Sequence, residues 1–101
     1  MNIIKRSGEE VEFTRSKIIN AISRANITSS VDNRMDDNII ASITDHVEKY
    51  CKKCNRAVNV EEIQDLIEDR IMKLGFYNIA RNYIKYRHDK EMARRSNTTD
   101  A

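Results

Sequence analysis

Two groups of residues in this 101-residue chain have the types and spacing to hold an anion. In "NIIKRSGEEVEFTRSKIINAI", residues 2–22, Lys5, Arg6, Arg15 and Lys17 surround two short apolar runs and a single glycine, Gly8. Arg binds phosphate through a planar fork of N–H donors, and Lys binds it as a compact point charge. Lys5 and Arg6 are neighbours in a stretch that reads as a strand, so their side chains start on opposite faces. Both reach one pocket only if a twist or the turn redirects one of them. Lys17 falls in the first turn of the following helix, where free N–H groups and the helix dipole add positive potential. A strand-end Lys, a neighbouring Arg and a helix-start Lys could together surround polyphosphate oxygens. The competing reading is that Lys5, Arg6 and Arg15 are solvated charges answering Glu9, Glu10 and Glu12, since surface ion pairs are common and weak.

The second group lies in "ARNYIKYRHD", residues 80–89. Tyr83 and Arg87 are four residues apart and share a helix face, with Tyr86 and His88 beside them. An aromatic ring next to a guanidinium suits a nucleotide: the ring packs a base or ribose and the Arg pairs with phosphate. Alternatively, Tyr83 is core and Arg87 pairs with Asp89 or a Glu elsewhere. No glycine-rich phosphate loop, paired carboxylates or nucleophile–His–acid arrangement stands out, so the chemistry on offer is binding rather than catalysis. Cys51 and Cys54, in "CKKC", are the chain's two cysteines. A structural zinc site usually needs four ligands; His46 makes a Cys2His set imaginable, but no second CxxC exists. A redox role of the familiar kind would want a βαβ setting that the flanks do not offer. The expectation is two free thiols at a helix end and no metal.

Elements must position these residues. Apolar residues make up 40% of the chain and charged residues 34%, with no Pro and two Gly, which points to one mostly helical domain. The net charge of +2, from 18 basic and 16 acidic residues, is too balanced to force a nucleic-acid reading. No run approaches transmembrane length and no signal-peptide core is visible, so the expectation is a cytoplasmic protein with no membrane partner.

Residues 2–6 read as a strand, Ser7–Gly8 as a turn, and 9–13 as a half-buried strand alternating Val11 and Phe13 with Glu10 and Glu12. Thr14 is the expected N-cap of a helix striped by Ile18, Ala21, Ile22 and Ala25. A polar loop leads to a second helix carrying Ile39, Ile43, Val47 and Tyr50, which runs out near "CKKCN". "AVNV", 57–60, is β-prone, and Asn59 with Glu62 resembles a capping box. A third helix carries Ile63, Leu66, Ile67, Ile71 and Leu74 and stops at Gly75. The fourth runs from about Phe76 to Ala93, with Ile79, Tyr83 and Ile84. "RRSNTTDA", 94–101, reads as a polar tail or the start of a linker. The order ββαα(β)αα predicts an α+β fold, mostly helical: a four-helix bundle capped by a small three-stranded β-sheet.

Three blocks, "IIKRSGEEVEFTRSKIINAISRA", "VNVEEIQDLIEDRIMKLG" and "YNIARNYIKYRHDKEMAR", together resemble the ATP-cone domain, in order and over residues 2 to 93. The resemblance implies a non-catalytic regulatory module, residues 1–93, that binds ATP or dATP with Mg2+. By the matched motifs, Ile3, Lys5 and Arg6 on the first strand would line the site, joined by Lys17 and Ile18 from the first helix. Val60 and Ile63 would flank the adenine, and Tyr83, Tyr86 and Arg87 would close the site. Ser7-Gly8 stands where the family usually has Asp-Gly, and Ser also suits a turn. The "CKKC" pair has no family role.

The ending "YIKYRHDKEMAR" is most similar to the N-terminal cone of the anaerobic, glycyl-radical ribonucleotide reductases. This implies a catalytic domain as partner, a nucleotide-dependent homo-oligomer, and an excised or standalone cone, since the catalytic barrel, radical Gly and zinc cysteines are missing. The other cone-bearing class is a transcriptional repressor of reductase genes. It would carry a zinc ribbon before the cone and more basic surface, so direct nucleic-acid binding is not expected. A third reading is a helical interaction domain with a degenerate nucleotide site.

Overall fold

The computed structural model describes residues 1–99, with side chains through Arg95. Strands β1 (Asn2–Ile4) and β2 (Glu10–Glu12) lead into α1 (Arg15–Asn26). A 3-10 turn at Val31–Asn33 precedes α2 (Asp37–Lys53), after which β3 (Val58–Asn59) runs directly into α3 (Val60–Lys73) and α4 (Tyr77–Thr99) closes the fold. Each helix packs on two others, α1 and α3 both touching α2 and α4, so the four form a closed bundle. The sheet has the order β2-β1-β3. β1 pairs antiparallel with β2, Ile3 facing Val11, and parallel with β3, Ile3 facing Val58. The expected α+β architecture is the observed one, with β3 on the free edge of the hairpin.

The strands are shorter than their alternation predicts, because the turn begins early. Gly8 N–H donates to the Lys5 carbonyl at 2.9 Å and Lys5 N–H to the Glu9 carbonyl at 2.8 Å. Gly8 has φ +91°, which completes a tight turn followed by a left-handed residue, a common three-residue hairpin connection. Lys5 and Arg6 therefore sit at the turn and not on the strand proper. This is what releases them from strand alternation.

The core is a set of isoleucine stripes. Ile18, Ile22 and Ala25 of α1, Ile63, Ile67 and Ile71 of α3, and Ile79, Ala80 and Tyr83 of α4 are buried, and Ile3 and Val58 of the sheet join them. On α2 the buried stripe is Ile40, Ile43, Val47 and Cys51. The expected Ile39 and Tyr50 are half-buried on its flank, so the helix is rotated toward its small Cys rather than its Tyr. Asn26 is buried, and its amide both donates to the Met35 carbonyl (2.9 Å) and accepts from the Met35 N–H (2.8 Å), which closes the α1–α2 loop.

Helix ends follow local chemistry. Asp36 Oδ1 accepts from Ile39 N–H at 2.9 Å and caps α2. The Asn59 side chain does not cap α3. Glu62, its expected capping-box partner, is taken instead by Arg56 and Tyr50. An ionised acceptor with a guanidinium in reach gains more from that charge-assisted pairing than from a backbone N–H. Gly75, at φ +88°, ends α3 as expected: its N–H donates to Met72 and the Phe76 N–H to Ile71, the paired bonds of a left-handed helix stop. Helix α4 runs to Thr99, past the expected end at Ala93. No Pro or Gly follows Gly75, so nothing in the chain breaks it. Asp100 and Ala101, the end of the expected tail, lie outside the described residues.

Candidate functional site

Beneath the sheet, α1, α3 and α4 enclose a cavity of about 480 Å³. Its floor is apolar: Ile3, Ile18, Ile63, Ile67 and Tyr83 are all buried and contribute to its lining. Each arrives there for a local reason. Ile3 is the inward residue of the central strand, and Ile18, Ile63 and Tyr83 lie on the core stripes of their helices where these reach the sheet. Val60, first residue of α3, follows β3 without a break and flanks Ile63.

The rim is cationic. Lys5 and Arg6 come from the hairpin turn, Lys17 and Arg24 from α1, and Arg87, Lys90 and Arg94 from α4, and among the described residues Glu12 is the one lining carboxylate. Seven cations line this partly apolar concavity, two of them, Arg6 and Arg87, paired with carboxylates of α3. Size and lining together match a site for a medium-sized organic anion.

Arg6 and Arg87 are already engaged. Arg6 donates to Glu61 Oε1 (2.8 Å) and Gln64 Oε1 (3.0 Å), with Glu91 at 3.9 Å. Arg87 spans α4 to α3, donating to Asp65 Oδ1 (3.0 Å) and Glu68 Oε1 (2.6 Å). Burial works against its charge, but hydrogen bonds to Glu68 and then Asp65 outweigh that and raise its pKa, so it stays a guanidinium cation. Of the two alternatives the sequence left open for Arg87, it adopts the pairing with α3 carboxylates while also lining the cavity. Lys5 makes a long ion-pair contact to Glu9, 3.9 Å. Among the described residues no carboxylate pairs with Lys17, and Arg15 turns away to Asp45 and Glu48 of α2.

The aromatic wall belongs to α4. Tyr83 is 1% exposed, and burial pushes its phenol pKa far up with Arg87 opposing, so it stays neutral. Tyr86 lies 6.4 Å from Tyr83, centroid to centroid, and is flanked by Lys90 Nζ at 5.4 Å and Arg24 Cζ at 6.0 Å from its ring. The ring thereby organises two rim cations from different helices.

All ten residues singled out in the sequence, Ile3, Lys5, Arg6, Lys17, Ile18, Val60, Ile63, Tyr83, Tyr86 and Arg87, line this one cavity. Sequence reasoning missed Arg24, Gln64, Lys90 and Arg94, which line it too. Helical spacing carried the signal: Arg24 is seven residues after Lys17, Gln64 is four after Val60, and Lys90 and Arg94 continue the Tyr86 face by fours. A shallower cavity of about 500 Å³ adjoins the first and shares Lys5, Arg6, Val60 and Arg94, so the hairpin turn forms the partition. Cys51 and Cys54 are free thiols away from both cavities, and His46 is exposed. Among the described residues no three His, Cys, Asp or Glu side chains converge as a metal site, and no helix is long and apolar enough to cross a membrane.

A small four-helix bundle with a three-stranded mixed sheet over a cation-rimmed cavity defines the class of domain. The ATP cone domain matches residues 1–92, and the chain belongs to that family. It is 34% identical over 93 residues to the anaerobic ribonucleoside-triphosphate reductase of Haemophilus influenzae, covering 91% of this chain and 13% of that protein. The enzyme of the same name from Escherichia coli is 33% identical over 93 residues, 92% of this chain and 12% of that one. The ribonucleoside-diphosphate reductase subunit alpha of Treponema pallidum is 40% identical over 100 residues, 93% of this chain and 12% of that one. The chain thus spans roughly an eighth of the length of these curated relatives. Reductases of both the anaerobic triphosphate and the diphosphate kinds thus share this region with the chain.

Proposed function

We propose that the cavity binds ATP or dATP and that the domain is the allosteric module of an anaerobic ribonucleoside-triphosphate reductase, acting in the cytoplasm. The observation that carries this reading is the convergence of an apolar floor, an aromatic wall and a cationic rim on one cavity of about 480 Å³. Adenine packs among Ile3, Ile18, Val60 and Ile63; Tyr83 and Tyr86 border the sugar; Lys5, Arg6, Lys17 and Arg87 take the triphosphate. Mg2+ accompanies the nucleotide, held mainly by phosphate oxygens and water, so the domain need supply few ligands.

Regulation follows from the existing partners of the arginines. Phosphate must compete with Glu61 for Arg6 and with Asp65 and Glu68 for Arg87. Binding therefore rewires the ion pairs that join α3 to the hairpin turn and to α4, and α4 is the two-state element that passes the signal to a catalytic domain or to a second cone. An effector regulates only if it binds two states unequally, typically by about 1–3 kcal/mol. Among the described residues the lining offers cations, aromatics and one carboxylate, but no His or Cys to act on a phosphate, which supports a binding and not a hydrolytic role. Calorimetric titration with MgATP and MgdATP tests this: saturable binding without turnover is expected. Absence of binding, or ATP hydrolysis by the purified domain, would overturn it.

A further inference from the structure

We infer that Cys51 and Cys54 form a reversible modification site, a dithiol that exchanges with small-molecule disulfides to close an intramolecular disulfide at the end of α2. Cys54 is the C-cap residue, and its N–H donates to the Cys51 carbonyl at 3.3 Å, so one closed turn joins the two. A closed four-residue turn holds its end Cα atoms within about 7 Å. That overlaps the span of roughly 4.4–6.8 Å that a disulfide tolerates. The backbone leaves the helix at Cys54, with ψ 132°, so its side chain is not fixed by a following turn.

The two thiols differ in the way sequential exchange needs. Cys54 is half-buried and reachable, whereas Cys51 is 2% exposed in the core. Burial first, and the neighbouring Cys54 second, raise the Cys51 pKa, which keeps it from reacting first. The Cys54 thiolate attacks one sulfur of an external disulfide such as oxidised glutathione, forming a mixed disulfide and expelling one thiolate. Cys51 then gives its proton to solvent and attacks the Cys54 sulfur, closing the Cys51–Cys54 bond and expelling the second thiol. The protein loses two electrons and two protons, and the external disulfide is reduced to two thiols.

The site touches α3 through one network. Tyr50, four residues before Cys54, donates to Glu62 Oε2 at 2.8 Å, and Arg56 donates to both Glu62 oxygens at 3.1 and 3.0 Å. Glu62 lies in the first turn of α3, between Glu61, which holds Arg6, and Ile63 of the cavity floor. Closing the disulfide reshapes the 54–57 segment that leads into β3 and this turn. Its consequence for effector affinity rests on the nucleotide reading; the disulfide does not.

The test is to incubate the reduced full chain with oxidised glutathione, quench with iodoacetamide and weigh the intact protein. The expected product has lost two hydrogens, carries neither glutathione nor alkyl groups, and reverts with dithiothreitol. Cys51→Ala should instead stop at one glutathione on Cys54, and Cys54→Ser should leave Cys51 unreacted in the folded state. A wild type that accumulates the stable adduct, keeps both thiols alkylatable, or closes only in denaturant would overturn the assignment. Hydrogen exchange over residues 55–64 should differ between the oxidised and reduced forms; identical exchange would refute the link to α3. Failure of nucleotide to bind in either redox state would count against the proposed function alone, because neither readout uses nucleotide.

Discussion

Lys5→Ala separates binding from folding more cleanly than any other change at the cavity. The Lys5 side chain is 49% exposed, and its ion-pair contact is a long one to Glu9, itself 65% exposed. An exposed pair of this kind contributes at most about 0.5 kcal/mol to stability. The hairpin bonds at this position are made by the backbone N–H and carbonyl, which alanine keeps. The thermal midpoint should therefore move by no more than a few degrees. A charge-assisted hydrogen bond to phosphate is worth about 1.5–3 kcal/mol. Lost from the bound state alone, it weakens MgATP and MgdATP binding by roughly tenfold to a hundredfold. Calorimetry on wild type and variant, at matched salt, measures this directly. Arg15→Ala is the internal control. It removes a cation from the same sequence block, but one that pairs with Asp45 and Glu48 on α2 and does not line the cavity. Unchanged affinity in Lys5→Ala, or an equal loss in Arg15→Ala, would refute the placement of the triphosphate.

Glu61→Gln should strengthen nucleotide binding, since it removes the carboxylate that competes for Arg6. Glu61 is 61% exposed, so the pair is worth up to about 1 kcal/mol and the gain about two- to fivefold, read by the same titration. Weaker binding in that variant would contradict the competition. Glu62 predicts an acid-side effect on stability. Its hydrogen bonds from Arg56, then Tyr50, hold its pKa below the ordinary carboxylate range. The unfolded chain takes up that proton more readily, so this contribution is complete above the ordinary carboxylate pKa and is lost as pH falls through the lowered one. With Glu62 34% and Arg56 55% exposed the loss is small; comparing melting of wild type and Glu62→Gln between neutral and acid pH should show it in the wild type alone.

Much of the fold was legible because its signals are local. The Ile18–Ile22–Ala25 stripe, the Ile63–Ile67–Ile71 stripe and the Gly75 stop each follow from periodicity or from one residue's φ preference. The features that were not legible depend on partners distant in sequence. Glu62 reads as a capping-box residue until the loop brings Arg56 and Tyr50 to it. Cys51 reads as a helix-end thiol until packing turns α2 to bury it in place of Tyr50. Lys5 and Arg6 read as strand neighbours on opposite faces, and one early turn bond from Gly8 to Lys5 changes that. The cavity residues were found in unequal measure for the same reason. Lys5, Arg6, Lys17, Tyr83 and Arg87 announce themselves as charge or aromatic clusters. Arg24, Lys90 and Arg94 belong to the site only through the alignment of α1 with α4 across Tyr86.

Hydrogen exchange of the full chain, alone and with saturating MgATP or MgdATP, needs no variant and locates the ligand. Slowed exchange is expected at the hairpin turn, in the first turns of α1 and α3, and in α4 from Tyr83 onward, with the exposed face of α2 unchanged. Protection in α4 should differ between the two nucleotides. Exchange that saturating nucleotide leaves unaltered at the cavity-lining segments, or protection confined to the α1–α2 loop and α2, would contradict nucleotide binding in the cavity.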